Sequence, residues 1–207
     1  MWGEILKRDL LGESREEDKF HTKEQLQEYL KSEIKRQGEN VVIRTLDVSL
    51  IEDLSGLFRI ICEDVKTLDL SGWKTSNVKN ICRMFWGCDN LESINLSGWD
   101  TSNVENMASV FYKCENLKSL DLSGWKTSNV KNMNWMFSHC ESIKSLAISR
   151  WDTSNVEEMS HMFCDCKNLK SLDLSGWDTS NVEDMGDMFS NCPAPYKVVD
   201  GKIVRKP

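Results

Sequence analysis

Residues 68–93 read LDLSGWKTSNVKNICRMFWGCDNLES, and the same phrase restarts at Ile94, Leu120, Leu146 and Leu172 with a period of 26 residues that never slips. Trp73, Trp99, Trp125, Trp151 and Trp177 keep one file, and Asn77, Asn103, Asn129, Asn155 and Asn181 keep another. Cys88, Cys114, Cys140, Cys166 and Cys192 keep a third. A fixed period of this length marks a repeat architecture, in which each unit buries its apolar face only against its neighbours.

Working inside one unit, Leu120 and Leu122 alternate with Ser119, Asp121 and Ser123, the period of a short strand. Thr127, Ser128 and Asn129 then offer capping side chains, and Val130, Met133, Met136, Phe137 and Cys140 follow at spacings that predict a short amphipathic helix. The expected fold is therefore an α/β repeat, a solenoid of short parallel strands and short helices. An open solenoid needs covered ends. Upstream, Thr22-Lys23-Glu24-Gln25 is a capping-box pattern before Leu26, Tyr29, Leu30 and Ile34, with Gly38 as a stop, which predicts an N-terminal capping helix. Downstream, Asp200-Gly201 between two alternating segments predicts a C-terminal capping β-hairpin. The chain divides into residues 1–21, a tail or loose helix; 22–67, the capping helix and a degenerate half repeat; 68–192, five repeats; and 193–207, the hairpin.

With 207 residues and a net charge of −7, the chain lacks the dense cationic face that nucleic acid or an anionic membrane requires. It has no apolar run of about 18 residues, so no membrane insertion is expected. The charged opening residues do not read as a signal peptide, and the eight cysteines, five of them in register, read as buried thiols. Both point to the cytoplasm.

The phrase LSGWDTSNVEDMGDMFSNC at residues 174–192 and its four siblings resemble the repeat of the BspA-like leucine-rich repeat surface proteins, also met as mycoplasma-type lipoprotein repeats. The likeness spans roughly residues 22–207. It implies a right-handed leucine-rich-repeat-like solenoid used for adhesion or protein recognition, generally on bacterial surfaces, without catalysis. Surface display and the absent signal peptide thus pull in opposite directions.

No nucleophile and base stand at a recognisable spacing, there is no Gly-rich phosphate loop, and no cofactor or enzymatic activity is expected. His139, Cys140, His161, Cys164, Asp165 and Cys166 are close in sequence, but they do not form two short chelating loops, so no metal site is expected. The Trp and Asn files read as internal ladders, the Asn amides satisfying backbone groups at tight bends. Lys74, Asp100, Lys126 and Asp152, like Lys79, Glu105, Lys131 and Glu157, alternate in sign, which favours in-register stacking.

Positions that change from unit to unit are free to serve a partner. Arg83, Trp86, Tyr112, Lys113, Trp135, His139 and His161 form the candidate partner-binding surface, because aromatics and Arg outside a core make binding hot spots. The strand face with Asp69, Asn95, Asp121 and Asp173 ranks second, small polar residues offering little anchor area. The expectation is a monomeric, non-enzymatic module that binds a protein as an adhesin does. The alternative is an intracellular effector or inhibitor of a partner enzyme, or a purely structural module.

Overall fold

A computed structural model describes residues 19–206; the expectation for the opening tail lies largely outside them. Helix α1 (Lys23–Gln37) starts where the Thr22 side chain accepts a hydrogen bond from the Gln25 N–H at 3.2 Å. It ends where Gly38, at φ 74°, donates to the Ile34 carbonyl. Leu26, Tyr29 and Leu30 turn its apolar face onto the first unit.

Strands β1 (Asn40–Val42), β2 (Thr67–Asp69) and β3 (Ser93–Asn95) pair in parallel, with Val41, Leu68 and Ile94 side by side. Strands β4 (Ser145–Leu146) and β5 (Ser171–Leu172) form a second parallel pair. Between β3 and β4, the strand segment 119–122 pairs only through Ser119, bridging to Ser93, so the strand expected through Leu120 and Leu122 does not form a ladder. The antiparallel hairpin β6 (Tyr196–Val199) and β7 (Lys202–Arg205) closes over Asp200-Gly201, both left-handed.

The helix expected in each unit is absent. Among the described residues α1 is the one α-helix, and residues 130–140 run as successive turns. The hydrogen bonds give the reason. Met107, Ser109, Phe111 and Lys113 donate to the Asn132, Asn134, Met136 and Ser138 carbonyls of the next unit at 2.8–3.0 Å, while Tyr112 and Cys114 donate three residues back within their own unit. An α-helix spends its N–H groups internally and leaves none to join neighbours. This turn ribbon spends half inside the unit and half between units. Its alternation needs left-handed residues, and Ser109 and Lys113 adopt φ of 57° and 61°.

The ribbon and the strands enclose files of identical side chains. Phe58, Phe85, Phe111, Phe137, Phe163 and Phe189 stack at 5.2–5.8 Å between successive ring centroids. Trp73 is buried against Trp99, and its indole N–H donates to the Ile43 carbonyl at 2.6 Å. Trp99, Trp151 and Trp177 repeat that donation to Leu70, Leu122 and Ile148. Trp125 does not, and its buried N–H has no acceptor where the strand ladder is interrupted.

Polar files satisfy the bends. The amides of Asn77, Asn103, Asn129, Asn155 and Asn181 each donate to a Ser carbonyl of the preceding unit at 2.6–2.8 Å. Thr75, Thr101, Thr127 and Thr153 donate their hydroxyls to carbonyls of the following unit. Opposite charges also meet in register: Lys74 with Asp47, Lys79 with Glu52, Lys126 with Asp100 and Lys131 with Glu105, at 2.9–3.6 Å.

The cysteines need one correction. Cys62 stands in the cysteine file one unit before Cys88, and the two form a disulfide rather than remaining thiols. The buried Cys114, Cys140 and Cys166 are free, their Sγ–H groups donating to the Phe85, Phe111 and Phe137 carbonyls.

The two ends are covered differently. At the first, the side chains of Lys23 and Gln27, one helical turn apart on α1, donate to the Ser55 and Leu57 carbonyls at 3.1 Å and occupy the edge of the half unit's ribbon. At the far end the Tyr196 hydroxyl accepts from the Leu174 N–H at 3.4 Å, so the hairpin covers the strand side.

Candidate functional site

Two left-handed positions recur in each ribbon, at Arg83 and Gly87 in the first unit and at their equivalents in the next four. Among the described residues nine non-glycine residues fill these ribbon positions, and of them Arg83, Lys113, Trp135, His139 and His161 adopt φ between 57° and 61°. Five of the seven partner-surface candidates therefore sit in the backbone conformation that favours glycine. Trp86 and Tyr112 each precede such a position.

The structure brings all seven into one strip crossing four units. Trp86 meets Tyr112 edge-on at 5.4 Å between centroids, and Tyr112 meets Trp135 at 5.8 Å and His139 at 5.6 Å, both edge-on. Trp135 stacks on His161 at 3.8 Å. Cations flank the rings, with Arg83 4.9 Å from the Trp86 ring and the Lys113 ammonium 5.7 Å from Tyr112. Arg83, Trp86, Ser109, Tyr112 and Trp135 line a shallow depression of about 220 Å³. Trp86, Tyr112 and Trp135 are half-buried, each with a face outside the core.

Sequence reasoning missed Arg59, whose guanidinium lies 4.2 Å from the Trp86 ring. It belongs to the degenerate half unit, where no repeat comparison singles it out. Asp165 and Asp187, variable positions not chosen as candidates, face His139 and His161 at 3.7 and 3.6 Å. Burial acts to raise Asp165, but hydrogen bonds from Asn191 and Cys164, with His139 and Lys167 nearby, hold its carboxyl below the usual range. Burial, with Asp165 beside it, pushes the Cys164 thiol up to about 11, so that sulfur is no ready nucleophile. The strip is basic around Trp86 and acidic at its far end.

The second-ranked strand face is occupied differently. Asp69 pairs with Arg44 at 2.5 Å and accepts from the Ser71 N–H. Asn95, Asp121 and Asp173 accept from the N–H two residues ahead, at Ser97, Ser123 and Ser175. These side chains close local turns. Each has one oxygen committed to its own backbone, which lessens what it offers a ligand.

Among the described residues no helix is long and apolar enough to cross a membrane. A search of curated proteins finds no match. A family model described as "Mycoplasma protein of unknown function, DUF285" matches residues 28–145 and again 119–197, two overlapping stretches that take in α1 from residue 28, every repeat and the start of the hairpin. With most of its length matched, the chain belongs to this mycoplasma-type repeat family.

Proposed function

We propose that this protein is a non-enzymatic protein-recognition module, a right-handed leucine-rich-repeat-like solenoid of the BspA-like kind, and that the aromatic strip from Trp86 to His161 is its binding surface. One observation carries the reading: Arg83, Lys113, Trp135, His139 and His161 hold large side chains where the backbone is left-handed. Such a residue costs roughly 1–2 kcal/mol relative to glycine, and Gly87 fills one such position in the first unit. A scaffold needs only the backbone there. Side chains retained at that cost, and assembled into one cation-flanked aromatic surface, fit recognition of a partner presenting carboxylates beside apolar groups.

The adhesin-like role is favoured over an intracellular effector by the Cys62–Cys88 bond, since structural disulfides persist in oxidising surroundings. The test is a pull-down from extracellular-matrix proteins and, separately, from cell lysate, with wild type and with a variant carrying Arg83→Ala, Trp86→Ala, Tyr112→Ala and Trp135→Ala. The expected result is a matrix protein retained by wild type and lost by a folded variant. Equal retention by both removes the strip, and capture from lysate alone removes the adhesin-like role.

A further inference from the structure

The hydrogen bonds that join the units also define what the last unit leaves unused. Met159, His161, Phe163 and Asp165 donate their N–H groups to the Asp184, Gly186, Met188 and Ser190 carbonyls of the fifth unit at 2.8–2.9 Å. The equivalent N–H groups of that fifth unit belong to Met185, Asp187, Phe189 and Asn191, and among the described residues none has an acceptor. The hairpin's Tyr196 accepts from the Leu174 N–H and sets its ring 6.3 Å from that of Phe189, but among the described residues no hairpin carbonyl accepts from these four N–H groups. Glu183, Asp184, Gly186, Asp187 and Asn191 are exposed along it. A row of unmet backbone donors is a template for an added chain.

The charge pattern says what kind. The ion pairs after the Trp and Val positions each join a later unit's Lys to an earlier unit's acid: Lys74 to Asp47, Lys79 to Glu52, Lys126 to Asp100 and Lys131 to Glu105. In the fifth unit the corresponding acids are Asp178 and Glu183, exposed and without an ion pair among the described residues. A second copy is a poor occupant, because the Ser55 and Leu57 carbonyls at its complementary edge already accept from Lys23 and Gln27.

We infer that the Met185-to-Asn191 edge docks a foreign polypeptide segment, which adds as one more rung through its backbone carbonyls and places lysines over Asp178 and Glu183. This is β-augmentation carried over to a turn ribbon. The edge adjoins the strip at Asp187, which faces His161, but it binds through backbone N–H groups rather than through the aromatic side chains, so either reading survives the failure of the other.

The probe is a synthetic peptide, KTSNVKNMNWMFSHC with Cys140→Ser, which copies residues 126–140 and carries lysines at the two matching positions. Titrated into the full chain, it is expected to slow amide hydrogen exchange at Met185, Asp187, Phe189 and Asn191 at least tenfold, leaving Met159 and Phe163 unchanged. A peptide with Lys126→Asp and Lys131→Glu is expected to bind at least threefold more weakly, two exposed ion pairs being lost. The proposal is overturned if both peptides bind alike, if the edge amides are already as protected as Met159 in the free chain, or if protein concentration alone protects them. The last result assigns the edge to a second copy.

Discussion

His161 lies flat on Trp135, ring centroids 3.8 Å apart and planes 7° from parallel, and both residues are left-handed. Successive units thus stack not only their buried Phe and Trp files but also side chains outside the core. The same backbone geometry that joins the ribbons sets this outer stack in place.

Trp135 gives a stability ordering opposite to the usual one. Elsewhere Gly is less stable than Ala, but at φ 60° the Cβ is the cost, so Trp135→Gly is expected to be at least as stable as Trp135→Ala. Both should lose no more than about 1–2 kcal/mol through the broken contacts with His161 and Tyr112. Denaturant unfolding of the two variants checks this. A markedly less stable glycine variant would contradict the left-handed assignment.

Within the Trp file, the hydrogen bonds separate two substitutions of the same chemistry. Trp73→Phe removes the donor to Ile43 and strands a carbonyl, whereas Trp125→Phe removes an N–H that has no acceptor. Trp73→Phe is therefore expected to cost about 1–3 kcal/mol more than Trp125→Phe, measured by urea unfolding. Equal losses would mean that Trp125 is hydrogen-bonded like its siblings.

The Cys62–Cys88 bond predicts a thiol count. Denatured without reductant, the chain should expose six reactive thiols, and with reductant eight. Cys62→Ser should lower stability by about 2–4 kcal/mol, the usual worth of a cross-link. Eight thiols without reductant, in protein kept from reducing agents throughout, would rule the bond out.

Asp47 predicts an acid limb. Burial acts to raise it, but hydrogen bonds from Ser49 and Lys74 outweigh this and hold its carboxyl below the usual value. A depressed folded value means that its contribution is present above the unfolded value, about pH 3.9, and disappears as pH falls through the folded one. Asp47→Asn should flatten the loss of stability in that acidic range. A variant whose stability still falls as steeply as wild type there would place the titration on other carboxylates.

The sequence makes some of this legible for physical reasons. Thr22, Gln25 and Gly38 announce α1 because caps and stops are local chemistry, and Asp200-Gly201 announces the hairpin likewise. The ribbon was hidden because Val130, Met133, Met136, Phe137 and Cys140 fit a helix, and only the inter-unit hydrogen bonds show that turns repeating every few residues bury the same set. Periodicity cannot reveal φ. The left-handed backbone beneath Trp135 and His161 was therefore invisible, although the variable positions that mark the strip were not. Arg59 lay in a unit too degenerate to compare, and pairing Cys62 with Cys88 needed spatial neighbours.

The most direct test of the binding surface is site-specific photo-crosslinking to matrix proteins, with a photoreactive residue in place of either Tyr112 on the strip or Ser119 on the exposed strand face. Recognition through the strip predicts adducts from position 112 and none from position 119. Adducts from position 119 alone would move recognition to the strand face and contradict the account.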